Sequence, residues 1–472
     1  MTEGYHRGVR LPPLFFLCVA FACSERAEVR GQEILTIDTD LPVEPGGLAV
    51  ATVDTLRVDV YAPGANDPRE TRELAIGQRA TWPLSLGVVG PARIRLRLFA
   101  ARWSSIAGTS SGGRERVPRT EVTIDRLIDF AGGAREVRRV RVLLTGDCMG
   151  READLVRGRT CESGQRLDQT ASDEVQPDDG QPTRAGTWPA LAPSPCSGAD
   201  DPERPCIPGG FDVLGDATLV GVQSEIEQPL PLRPVVVSPF RMDRAEYTVG
   251  RYRALLRSGH VLRSPAPRRA DASQDGLAYC TFRGNSDATA DTLPLNCVAY
   301  ATAQELCAAD GGRLATEAEW EHAASGRGEG RLFPWGNATP SCCTVSLSRS
   351  PAADGARECT ASLPEPVGSH DGRACASAGG PLGEARGDVS RDGVLDLGGS
   401  LFEYTADLFS EVRVCALPGV QRDPVCTLGT TATLKSADWT AGFSRARVAL
   451  RTSASSAPNS TQGFRCVSPE AP

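Results

Sequence analysis

Two carboxylates and a set of cysteines are the residues of this chain best equipped for chemistry. Asp396 and Glu403 stand seven residues apart in DGVLDLGGSLFEYTADLF (392–409), on either side of a glycine-rich turn whose carbonyl oxygens can point inward. Hard oxygen donors on a flexible loop suit calcium, although the same two side chains could cap the turn and hold no metal. Of the 16 cysteines, Cys18 and Cys23 fall in the apolar N-terminal stretch, leaving 14, an even number that suggests up to seven disulfides. Cys148 with Cys161, and Cys280 with Cys297, each flank a short loop and read as local pairs, and Cys196 with Cys206 could close another. No CxxC occurs, which weakens a zinc-ribbon or thioredoxin-like reading. The four histidines, His6, His260, His322 and His370, are scattered without a metal-ligand spacing, and there is no P-loop.

The elements that must position these groups fall into two regions. Residues 30–147 carry short apolar runs separated by turn residues, among them EILTID (33–38), LRVDVYA (56–62), ARIRLRLFA (92–100), TEVTID (120–125) and VRRVRVLL (137–144). Ile94, Leu96 and Leu98 alternate with arginines, the pattern of a sheet with one buried and one wet face, and the spacing predicts an antiparallel β-sandwich of immunoglobulin or fibronectin type. Residues 148–204 are rich in Asp, Glu, Pro, Gly and Ser and read as a stapled sandwich end followed by a linker. From 205 to 468 the pattern is α+β with much irregular loop. Thr316 and Glu319 have capping-box spacing, placing a helix start near Glu317 and its end at Gly326. Thr302 and Glu305 repeat that spacing and predict a helix over Ala303–Ala309. A third helix is expected from Val249 to Gly259.

Composition bounds the function. With 51 Lys and Arg against 59 Asp and Glu, a net charge of −8, and no basic run interleaved with aromatics, a general nucleic-acid binder is not expected. Residues 1–23 read as an export signal: His6, Arg7 and Arg10, an apolar run from Leu11 to Ala22, then Cys23. Ala22 before Cys23 suggests a lipoprotein signal in which Cys23 is lipidated and anchors the protein to the membrane; plain cleavage and secretion is the alternative.

The stretch GGRLATEAEWEHAASGRGEGRLFPWGN (311–337), with CIPGGFDVLGD (206–216), DGVLDLGGSLFEYTADLF and the terminal RARVALRTSASSAPNSTQGFRC, resembles the formylglycine-generating enzymes, or sulfatase-modifying factors, whose fold is related to C-type lectins. The matching signature residues are Arg313, Thr316, Glu317, Glu319, Trp320, Trp335, Gly336, Arg451, Gly463, Phe464 and Arg465. The resemblance implies a Cys307–Cys466 disulfide and a calcium site made by Asp396, Glu403 and the carbonyls of Gly399 and Leu401. Ser400 stands where the family has Asn, and Lys435–Asp438 where it has RGGS. Enzymes of the family oxidise a substrate cysteine in a CxPxR-type peptide using copper on two thiolates placed after RGGS. Here Trp439 to Arg451 contains no cysteine, so neither copper nor formylglycine formation is expected. The expectation is a binding scaffold for a peptide, glycan or protein ligand. The alternative is another oxidative or protein-modifying enzyme, with carboxylates such as Glu319 or Asp438 in place of the thiols.

Overall fold

The computed structural model describes residues 32–470, apart from 44–48, 77–81, 109–113, 131–136, 173–175, 179, 220–228, 275, 350–358, 360–363, 374–386 and 411–414. The expected export segment and Cys23 lie outside the described residues. The architecture is mostly β with few helices. No helix among the described residues is long and apolar enough to cross a membrane.

Among the described residues the N-terminal region folds as two four-stranded sheets and a hairpin of Ser104–Gly108 with Arg114–Pro118. One has the order Glu70–Ala75, Thr55–Tyr61, Ala92–Phe99, Ile124–Phe130 and is antiparallel throughout. Ile94, Leu96 and Leu98 point from its third strand into the core, fully buried. The arginines between them reach carboxylates on neighbouring strands: Arg93 meets Asp129 at 2.6 Å, Arg95 meets Asp125 at 2.5 Å, and Arg97 meets Asp59. Cross-strand charge pairs of this kind reinforce the register that the apolar face already specifies.

The second sheet has the order Gln176–Pro177, Arg138–Leu144, Gln32–Thr39, Leu84–Val89, and its two central strands run parallel, a departure from the all-antiparallel expectation. Local alternation cannot show this, because a parallel pairing is closed by a connection that crosses the other sheet. The expected strand at 120–125 begins later, at Ile124, after a 3₁₀ turn over Thr120–Val122.

The 148–204 segment is not a free tether. Trp188 is buried, meets Phe211 edge-on with ring centroids 5.0 Å apart, and donates from Nε1 to Asp147 at 2.8 Å. Phe211, Val213, Leu232 and Val236 of the C-terminal region then join the same apolar core as Leu35 and Leu96. Composition misses this because the anchoring rests on Trp188 with the half-buried Ala185, Ala190 and Leu191 around it, while most of the segment is polar.

Among the described residues the C-terminal region contains three α-helices and three small sheets. Helix α1 (Val249–Arg257) starts at Thr248, whose side chain accepts from Arg251 N–H. Helix α2 (Tyr300–Ala309) begins three residues before the expected start, and Ala299 is its cap. Thr302 and Glu305 do not form the expected capping box: Thr302 donates to Pro265 O, and Glu305 accepts from the backbone of Arg263 and Ser264, so an incoming loop takes both side chains. Helix α3 (Glu317–Ala324) carries the full reciprocal box between Thr316 and Glu319. The chain end, Cys466–Pro469, pairs with both Phe240–Met242 and Arg313–Leu314, bringing the last strand into the first sheet of the domain.

Candidate functional site: a buried carboxylate turn and a cysteine-free segment

Every side chain of α3 is buried, so its charged residues must find partners inside the protein. Glu317 accepts from Arg233 at 2.6 Å and meets Arg451 at 2.9 Å. Burial opposes ionisation there, yet the two guanidinium groups hold the Glu317 carboxyl below its usual range. Glu321 pairs with Lys435 at 2.7 Å, and Lys435 lies over the Trp320 ring. Trp320 Nε1 donates to Glu403 at 2.9 Å, and Glu403 in turn receives Arg465 through two bonds of 2.7 and 2.6 Å. Glu319 is engaged with Arg313 at 2.6 Å and with the helix cap, so it is not a free acid. The signature residues on α3 and its neighbours thus form one internal ionic lattice.

The glycine-rich turn wraps the far side of Arg465, which donates to the carbonyls of Leu395 and Asp396 as well as to Glu403. Asp396 and Ser400 both sit in the left-handed region, at φ 58° and 74°, a conformation that Asn adopts more readily than Ser. Gly398 and Gly399 must lack Cβ atoms, because one at Gly398 would stand 2.6 Å from the Trp335 ring and one at Gly399 2.6 Å from Val345. Glu246 accepts from Ser400 Oγ and Leu401 N–H. Asp388 accepts from Gly398 N–H with one oxygen, and its other oxygen is buried without a hydrogen-bond partner. Burial pushes Asp388 up to about 8 and Asp396 up to about 6, and burial with Asp396 and Glu403 nearby raises Glu246.

Glu246, Asp388, Asp396 and Glu403 therefore face Arg465 with an excess of negative charge that a cation or retained protons must balance. Asp396 and the Gly399 and Leu401 carbonyls would hold such a cation; Glu403 has Arg465 on both oxygens. Among the described residues no three His, Cys, Asp or Glu side chains converge as a metal cluster.

The segment Trp439–Arg451 packs closely. Trp439 is buried and donates to Ser460 O, Ala446 packs with the stacked Phe333 and Trp335 rings, and Arg451 lies over Phe409. Asp438 caps the turn by accepting from Thr440, and burial raises its carboxyl. Two clefts of about 290 and 510 Å³ lie along the seam between the N-terminal sheets and the rest of the chain, and neither is lined by Asp438 or Arg451.

The cysteines pair as 148–161, 196–206, 280–297, 307–466, 342–359 and 415–426, and Cys343 is also disulfide-bonded. No described cysteine is therefore a free thiol, and copper on a thiolate pair does not fit the described residues. His322 is buried between Asp212 at 3.0 Å and Pro208 O at 3.1 Å. Sequence reasoning did not single out Asp388, Asp212 or Glu321, and it marked Lys435, the one lysine in the chain, only as part of the departure from RGGS, without its pairing to Glu321.

The sulfatase-modifying factor enzyme 1-like domain family matches residues 192–469. Hercynine oxygenase of Mycolicibacterium smegmatis is 32% identical over 169 residues, 32% of this chain and 39% of that protein, so the chain spans well under half the length of this relative. The formylglycine-generating enzyme of Streptomyces coelicolor is 29% identical over 300 residues, 55% of this chain and 87% of that protein. The solved structure of PvdO from Pseudomonas aeruginosa aligns at 21% identity over 59% of this chain and 99% of its own, with a TM-score of 0.41.

Proposed function

Through residues 192–469 the chain belongs to the sulfatase-modifying factor enzyme 1-like family, and from that premise we propose that this domain is a disulfide-framed binding scaffold that does not form formylglycine on a copper–thiolate pair. The observation that carries the reading is chemical. The segment Trp439–Arg451, where the family would place both thiols, contains no cysteine, and the described cysteines elsewhere in the domain are all joined in disulfides. Cu(I) needs soft thiolates, and a disulfide sulfur is not one.

The disulfides support an oxidising compartment, in keeping with export and a lipid anchor at Cys23. In this reading the N-terminal sheets are an immunoglobulin- or fibronectin-like sandwich that holds the domain off the membrane. Calcium belongs to it as a structural ion on Asp396 and the turn carbonyls, with Glu403 held by Arg465.

A second reading, an oxidative or protein-modifying enzyme, is favoured by the names of two relatives, hercynine oxygenase and formylglycine-generating enzyme. The test separates them. The purified chain is incubated with Cu(I), oxygen and a CxPxR peptide, and the product is examined by mass spectrometry. The scaffold reading expects no aldehyde where an authentic enzyme yields one; an aldehyde overturns it.

A further inference from the structure

The larger seam cleft, of about 510 Å³, lies away from the carboxylate turn and from Trp439–Arg451. Two of its walls are loops that disulfides hold in place: the Cys148–Cys161 loop carries Gly150 and Arg151, and the Cys415–Cys426 loop carries Leu417 and Gly419. These loops meet backbone to backbone. A Cβ on Gly150, at φ +76°, would stand 2.8 Å from Glu121 O and 3.1 Å from Gly419 N. One on Gly419, at φ +94°, would stand 3.0 Å from Arg151 Nε. Both glycines are needed, and the approach lays the Arg151 guanidinium against the opposite loop.

Arg151 differs from the other arginine lining the cleft. The Nε of each is buried with no hydrogen-bond partner, but Arg233 is paired with Glu317 at 2.6 Å, whereas the Arg151 guanidinium makes no ion pair among the described residues. Burying part of a cation without a partner costs free energy that an incoming carboxylate offsets through charge-assisted hydrogen bonds. The rest of the lining is mixed: Leu167, Pro231 and Pro418 supply apolar surface and Leu417 is 65% exposed, while Glu121, Glu152 and Asp168 also line the cleft, each already engaged, by Leu232 N–H, Arg95 and Arg159 respectively. The volume falls in the range of ligand sites, roughly 300–1,000 Å³, and exceeds what a small carboxylic acid fills.

We propose that this cleft binds the carboxyl terminus of a peptide whose last side chain is apolar, with Arg151 taking the carboxylate and Leu417 and Leu167 the side chain. The disulfides preorganise the site, so little ordering cost falls on binding. The proposal names a ligand for the binding-scaffold reading and rests on it only for its purpose. Peptide binding and aldehyde formation are read by separate assays, so either can fail alone.

The experiment is isothermal titration of the full chain with acetyl-Ala-Ala-Leu as the free acid, the same peptide as its amide, and 4-methylpentanoate. The free acid is expected to bind, with the amide about tenfold weaker or more, the loss of one charge-assisted contact. Arg151→Gln is expected to weaken the free acid by a similar factor while leaving the melting temperature in place. Leu417→Ser should weaken the peptide yet keep its preference for acid over amide. Equal binding of acid and amide, no binding of either at millimolar concentration, or full affinity in Arg151→Gln would overturn the proposal. Binding of 4-methylpentanoate as tight as the peptide would overturn the peptide terminus in favour of a small acid.

Discussion

Changing Glu403→Gln should be among the most damaging near-isosteric substitutions in this chain. Glu403 and Arg465 are 0% and 1% exposed, with Nη2 and Oε1 2.6 Å apart. Glutamine keeps the volume and its carbonyl oxygen can still accept from Trp320 Nε1 and Arg465 Nε, but its NH2 then faces Arg465 Nη2 donor to donor, so the change removes the charge and one hydrogen bond. Breaking a buried pair by neutralising one partner costs about 3–5 kcal/mol, because the other charge stays desolvated. Arg465 cannot swing out to water, since it also donates to the carbonyls of Asp243, Arg244, Leu395 and Asp396. The converse change, Arg465→Met, should cost more. It leaves Glu403 beside Glu246 and Asp396 with no cation, and it strips those carbonyls of a donor at roughly 1 kcal/mol or more each. For the same reason the double variant should not regain wild-type stability, unlike buried pairs that can be exchanged for apolar residues without loss. The assay is guanidinium denaturation followed by circular dichroism on the three variants and the wild type. A cost below about 1 kcal/mol for Glu403→Gln, the value of a surface pair, would refute the claim that this pair is desolvated.

Three further outcomes follow from the structure. Joint replacement of Cys307 and Cys466 by alanine opens a bridge spanning 159 residues and should cost up to about 5 kcal/mol by chain entropy; non-reducing peptide mapping that joined Cys307 to another cysteine would remove the basis for this. A calcium ion on the turn predicts a melting temperature higher in calcium than in EDTA, with Asp396→Asn abolishing the difference; identical melting in both buffers would discard the ion. Burial, with Glu317 nearby, pushes Asp407 up to about 6 from its usual 3.8, so the folded state keeps a proton that the unfolded chain releases between those values. Stability should therefore fall as pH rises through that window, and Asp407→Asn should flatten the slope; an unchanged slope would place the titration elsewhere.

The parts legible beforehand were those specified by short-range pattern. Alternation of Ile94, Leu96 and Leu98 located a half-buried strand, and the Thr316–Glu319 spacing placed the start of α3, because both rest on backbone geometry within a few residues. The same spacing at Thr302–Glu305 misled, since a loop from Arg263 to Pro265 competes for both side chains. Nothing local announces that competition. The fate of Glu319 was equally invisible: a carboxylate at a cap looks available for chemistry until Arg313 is seen 2.6 Å away.

By itself the sequence determined which chemistry the family segment lacks, since no fold can supply a thiol to Trp439–Arg451 that the chain does not contain there. It also determined the family signature and the apolar periodicities. Tertiary structure decided everything that depends on charge meeting charge: that Glu403 answers Arg465, that Asp388 joins Asp396 at the turn, that Lys435 serves Glu321, and that Arg151 has no described counter-ion beside a cleft. The physical reason is that an ionic partner is chosen by burial and distance. Residues 62 positions apart in the chain, as Glu403 and Arg465 are, become neighbours only when the strands and loops between them have folded.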